Sequence, residues 1–236
     1  MRTDYNSLVS NYNNLVSKYN DLVSRYDEIF TTASQDATAV TLVYHTDFGN
    51  EMHILSLSIP YDLYEFYHEK PHPVFSTDNP EAVKAYITPN DTVIQDIVSV
   101  IRSQTESEEE LADALLDLVQ YKGYTLSVRY YVTNEFKYPI ETLAEMGGDC
   151  DTHAVLYASL LKAAGFKVLF LISTDGTHAA VAVHLTDPPT HNTQSEFHYF
   201  EYNGERYYYA ETTGSGWMVG DLPPDLEGTS FYLVQI

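Results

Sequence analysis

The chain's only thiol lies in Gly147-Gly148-Asp149-Cys150-Asp151, where a glycine pair gives way to the apolar stripe Ala154, Val155, Ala158, Leu160 and Leu161. That stripe has helical spacing and stops at Gly165, so Cys150 falls in the first turn of a buried helix. Three effects converge there. Glycines let the backbone turn sharply and leave room for a substrate. The free N–H groups and dipole of a helix start favour a thiolate. The same N–H groups donate to a developing oxyanion. A purely structural cysteine would more naturally sit mid-stripe, facing the core. Asp149 and Asp151 oppose activation, because their charges disfavour a thiolate unless they serve as helix caps.

A nucleophilic thiol needs a base, and the base needs an orienting partner. His178 opens the strand-like run His178–Leu185 after the turn Asp175-Gly176-Thr177, and its small neighbours Ala179 and Ala180 permit close packing on the helix carrying Cys150. Glu211, closing the aromatic run Tyr207–Glu211, is the candidate carboxylate. His184, six residues beyond His178, is the alternative base. His153, one turn after Cys150, either lines the cleft or is a satisfied structural histidine. The tyrosines of 199–209 either wall a peptide cleft or pack a sheet, the second being the usual role. His68-Glu69-Lys70-Pro71-His72 matches the zinc-protease string H-E-x-x-H. Pro71 denies it the continuous helix such a site requires, so no metal is expected. Calcium is left open, with no motif in its support.

The elements that must position these residues read as helices first and strands afterwards, an α+β arrangement with an antiparallel sheet. Val40–Tyr44 and His53–Ile59 flank the turn Asp47-Phe48-Gly49-Asn50 as a hairpin. A helical turn at Tyr61–Tyr67 precedes an irregular, proline-rich stretch to residue 80. Val93, Ile94, Ile97 and Ile101 share one helix face. Ser107 and Glu110 form a capping box ahead of Leu111, Leu115 and Leu118, and the acidic run 106–117 reads as a solvated helix start. Pro139 opens a short helix stopping at Gly147-Gly148. Strand-like runs follow at Val168–Ile172, His178–Leu185, Phe197–Tyr202, Tyr207–Glu211 and Ser230–Val234. Upstream, Tyr5, Tyr12, Tyr19 and Tyr26 repeat every seven residues, each followed three later by Leu8, Leu15, Leu22 and Ile29. That is a coiled-coil seam, and it predicts a homo-oligomer through residues 5–29. The expected organisation is a heptad helix over 1–30, a linker and accessory hairpin over 31–84, and a catalytic unit over 85–236.

Around Cys150, His178 and Glu211 the sequence resembles the transglutaminase-like superfamily, in particular its archaeal and bacterial cysteine-peptidase branch. The matching stretches are Tyr138–Leu143, Gly147–Cys150, the helix end Leu160–Phe166, His178–Val183, and Tyr209–Thr213 with Gly216-Trp217, in the family's order. The resemblance spans about residues 85–235. It implies a papain-like α+β fold, with Cys150 on a helix and His178 and Glu211 on adjacent strands. It also implies acyl transfer on peptide amides through a Cys150 thioester, ending in hydrolysis as in a cysteine peptidase or amidase. Transfer to an amine, which cross-links proteins, and a non-catalytic scaffold are the alternatives. The family's third member is usually Asp, and the residue two after its nucleophile is often acidic; here they are Glu211 and Thr152. Tyr138 is the candidate second oxyanion donor, with Asp149, Asp151 and His153 as cleft residues.

Composition narrows the partners. The 236 residues carry 34 acidic against 12 basic side chains, a formal charge of −22. Such a field repels phosphate backbones and anionic membrane surfaces, so nucleic acid is not an expected partner; a protein or peptide substrate is what the resemblance implies. No apolar run approaches the ~18 residues of a membrane-spanning helix. No signal peptide is visible, and an anchor upstream of the repeat would favour the cell surface over the cytoplasm.

Overall fold

Residues 37–236, except 124–125, 134, 192 and 195, are described by a computed structural model. The heptad repeat of 5–29 lies outside the described residues. The chain opens with a hairpin of β1 (Ala37–Thr46) and β2 (Glu51–Pro60), antiparallel in the register Thr46↔Glu51 to Ala37↔Pro60. Its alternation turns Val40, Leu42, Tyr44, Leu55 and Ile59 onto the core shared with the helices. Then come α1 (Tyr61–His68), a 3₁₀ segment at Pro80–Tyr86, α2 (Thr92–Arg102) and α3 (Glu108–Val119). The two-residue strands β3 (Arg129–Tyr130) and β4 (Gly147–Gly148) bracket α4 (Pro139–Glu145). Helix α5 (Cys150–Ala163) leads into β5 (Val168–Ser173), β6 (Ala179–Val183), β7 (Tyr199–Tyr202), β8 (Glu205–Ala210) and β9 (Phe231–Gln235).

Those last five strands form one antiparallel sheet in the order β7-β8-β6-β5-β9. Mixed helix and sheet of this kind is the α+β class expected from the sequence. The central strands β5 and β6 are buried throughout, because both faces are covered. Val168, Phe170, Ile172, Ala179, Val181 and Val183 face the helical core, while Leu169, Leu171, Ala180 and Ala182 pack with Tyr207 and Tyr209 in a second cluster. Helix α5 is buried from Thr152 to Leu161. Each fully buried Leu or Val contributes about 1.5–3 kcal/mol, which holds the helix rigidly on the sheet.

The acidic start of α3 is less solvated than its sequence suggests. Ser107 Oγ does accept from the Glu110 N–H at 3.1 Å, but Glu110 and Asp113 are buried. Glu110 accepts from the N–H groups of Asp47 (2.8 Å) and Glu106 (2.7 Å), so its side chain reaches past the box to the hairpin turn. Asp113 accepts from the Val219 N–H at 2.7 Å, and burial pushes its carboxyl well above the usual range. Among the described residues no helix is long and apolar enough to cross a membrane.

Candidate active site

Cys150 is the first residue of α5, and the approach to it is shaped by β3 and β4. Met146 leaves α4 in the left-handed region (φ 55°), which turns the chain into Gly147-Gly148. These pair in parallel with Arg129-Tyr130 through Arg129 N–H to Met146 O and Tyr131 N–H to Gly148 O, both 2.9 Å. The glycines are required by space. A Cβ on Gly147 would lie 2.6 Å from the Arg129 carbonyl oxygen, and one on Gly148 would lie 2.5 Å from the Thr152 side chain.

Asp149 resolves the conflict posed by its charge: it is the helix cap. Its Oδ1 accepts from Thr152 N–H (3.4 Å) and Thr152 Oγ1 (2.9 Å), and its Oδ2 from Thr133 N–H (3.3 Å). Asp151 instead stays beside the thiol, accepting from Cys150 Sγ at 3.7 Å. Burial, reinforced by the Asp149 charge, pushes its carboxyl up to about 6.

His178 precedes β6, two residues beyond the turn at Gly176. Its backbone is tied to Ser173 on both sides, Ser173 N–H to His178 O and His178 N–H to Ser173 Oγ, each 2.9 Å. Its Nε2 lies 3.1 Å from Glu211 Oε2, and its side chain is 15% exposed. Burial works against the charged imidazole. The nearby Cys150 and the Glu211 carboxylate outweigh it and lift His178 to about 10. Nε2 is the nitrogen turned to Glu211 and to the Tyr209 hydroxyl at 3.4 Å.

Glu211 follows β8 and is nearly enclosed. Its Oε2 accepts from His178 Nε2 and from the Tyr209 hydroxyl (2.9 Å); its Oε1 accepts from Thr213 N–H (2.9 Å) and Thr213 Oγ1 (2.6 Å). Burial alone would raise its pKa, but His178 and Thr213 hold it below the ordinary carboxylate value. The extra methylene over Asp has a geometric use. Extending the register Val181↔Ala210 sets Glu211 beside Ala180, one diagonal step from His178. Diagonal neighbours in a sheet sit ~7–8 Å apart, within reach of a longer side chain.

The remaining expected residues fall elsewhere. His153 is fully buried, with Nδ1 3.1 Å from Thr212 O and Nε2 3.3 Å from Arg129 O. It joins the strand beside the thiol to the loop after Glu211, and burial depresses its pKa. Tyr138 is not brought to the thiol: its hydroxyl donates to Pro71 O at 3.0 Å, and its ring packs on Tyr67 and Tyr86. His184 lies past the far end of β6, with Nδ1 2.9 Å from Arg206 O. Six residues of strand are about 20 Å, so it is remote from Cys150. Tyr207, Tyr208 and Tyr209 are buried and pack the sheet.

Two residues of the site were not singled out in the sequence. Tyr209 orients Glu211, and its period-two relation to Glu211 along the strand was the available signal. Tyr130 is 41% exposed. It pairs with Gly148, which sets its strand beside the start of α5, and burial with the charges of Cys150, Asp149, Glu211 and Asp151 raises its pKa. Only the pairing of β3 with β4 brings it there. Comparison with protein-family models, curated proteins and solved structures finds no match for this chain.

Proposed function

We propose that the chain is a thiol-dependent acyl-transfer enzyme of the transglutaminase-like, papain-like kind, hydrolysing peptide amides through a Cys150 thioester. The observation that carries this reading is His178, flanked by the thiol of a helix start on one side and a caged Glu211 on the other. In this reading His178 is charged before reaction, its pKa lifted to about 10. The thiolate attacks the amide carbon, and the oxyanion is received by the Cys150 N–H, with Tyr130, on the strand paired to Gly148, as the candidate second donor. His178 gives its proton to the leaving amine, and the C–N bond breaks to leave the thioester. Neutral His178 then takes a proton from water, whose hydroxide oxygen displaces the thiol and releases the acid. Glu211 keeps its charge throughout and stabilises the imidazolium. The heptad seam of 5–29 would oligomerise the chain and present several such sites to a protein substrate.

Fluorescein-labelled casein, incubated with and without dansylcadaverine, tests the reading. The expected result is soluble fluorescent peptides from the native chain and none from Cys150→Ala. Cys150-dependent incorporation of the amine without peptide release would shift the reading to cross-linking. Equal turnover by native chain and Cys150→Ala would end it.

A further inference from the structure

A second cluster of chemistry-bearing side chains lies between the end of α1 and α4. Helix α1 stops at His68, as Pro71 and Pro73 demand, and the chain bends so that His72 approaches α4 from outside any helix. Two imidazoles therefore converge on one carboxylate. His68 Nδ1 is 3.3 Å from Glu141 Oε1, and His72 Nε2 is 2.9 Å from Glu141 Oε2. The Glu141 carboxylate is 4% exposed and is fixed in place by the Tyr138 N–H at 2.8 Å. Glu145, one turn on, adds a carboxylate: single ligand atoms of His68, Glu141 and Glu145 all lie within 4.8 Å of one another. The cluster lines a cleft of about 360 Å³, open to solvent through the exposed ring of His68.

We propose that His68, Glu141 and Glu145 bind a divalent transition cation, Zn²⁺ by ligand type, with His72 holding the Glu141 carboxylate from its other oxygen. Imidazole nitrogen with carboxylate oxygen is a zinc donor set, and Zn–N and Zn–O bonds of about 2.0–2.2 Å make tetrahedral edges of roughly 3.4 Å. The His68–Glu141 separation of 3.3 Å is close to that edge, and with Glu145 inside 4.8 Å small side-chain shifts complete the site. Lys137 opposes a cation here, but its ammonium is paired with Glu145 at 2.6 Å, and the Tyr64 hydroxyl donates to the other Glu145 oxygen at 2.9 Å. The helical spacing of H-E-x-x-H is absent, as the sequence argument required. The site arises instead because the third ligand comes from another element. Bound zinc would clamp α1 and the following proline segment onto α4, whose end feeds Gly147 to Cys150.

The test is a calorimetric titration of the full, chelator-treated chain with Zn²⁺, in the native sequence and in Cys150→Ala, His68→Ala and His72→Ala. One zinc per chain should bind to the native protein and to Cys150→Ala. His68→Ala should bind more weakly by over the roughly 10–100-fold that removal of a mere supporting partner costs, and His72→Ala by a factor within that range. Zinc should also raise the melting temperature of the native chain and leave that of His68→Ala unmoved. The His68 side chain is 59% exposed, so its loss leaves the fold intact. Absence of binding at micromolar zinc, binding that survives both histidine variants, or binding lost only in Cys150→Ala would each overturn the proposal.

Discussion

Replacing Glu211 with glutamine tests the centre of the argument without needing a substrate. The carboxylate accepts from four donors: His178 Nε2, the Tyr209 hydroxyl, and the N–H and hydroxyl of Thr213. An amide has one acceptor oxygen, so its NH₂ must face donors on one side in either orientation. The imidazolium then loses a hydrogen bond to a charged group, ~1.5–3 kcal/mol. At about 1.36 kcal/mol per pH unit, that moves its deprotonation down by about 1–2 units from the native value of about 10. The assay is the pH profile of Cys150 alkylation by iodoacetate, whose negative charge makes it react preferentially while the imidazolium persists. Native protein should lose reactivity as pH rises through about 10, and Glu211→Gln about 1–2 units earlier. Neutral iodoacetamide, which follows thiolate alone, should show no such fall. Turnover of casein should drop about 10²–10⁴-fold, or roughly 3–5 kcal/mol of barrier. If the alkaline limb is the same in both proteins, or if His184→Ala moves it, His178 and Glu211 are not the pair described.

Other outcomes follow from the same geometry. His178→Ala should slow iodoacetamide alkylation of Cys150 near pH 7, because the thiol loses its base; an unchanged rate would make the site structural. Because His178 is raised from 6.5 to about 10, its stabilising contribution is complete below pH 6.5 and lost as pH rises through about 10. Melting temperature should therefore decline over that range more in the native chain than in His178→Ala. Asp151→Asn should speed iodoacetate alkylation above pH 6, where Asp151 is ionised, and change it little below. Asp149→Ala removes the cap of α5 and should cost about 0.5–2 kcal/mol, a fall of a few degrees in a thermal melt. Deleting residues 1–35 should convert an oligomer to a monomer in light scattering; a monomer in both forms would exclude association through the seam.

Much of the site was legible because its signals are local. A lone cysteine after a glycine pair and before an apolar stripe can only begin a helix, and the stripe's period fixes which face is buried. The antiparallel strands also showed, since β5 and β6 alternate between two covered faces and read as continuous apolar runs. The identity of the acid was likewise local, because Glu211 closes the strand that runs beside β6. What the sequence could not settle depended on pairing between distant segments. Which of Asp149 and Asp151 caps α5 turned on Thr133 and Thr152 being present as donors. Tyr130 and Tyr138 are both upstream tyrosines, yet the first is set beside the start of α5 by the parallel pairing of Arg129-Tyr130 with Gly147-Gly148, while the second donates to the Pro71 carbonyl. His68 and His72 likewise have no shared periodicity, yet a carboxylate from α4 gathers them. Periodicity along the chain reports each element's own buried face, while convergence of side chains from different elements is set by packing, which no single stretch of sequence encodes.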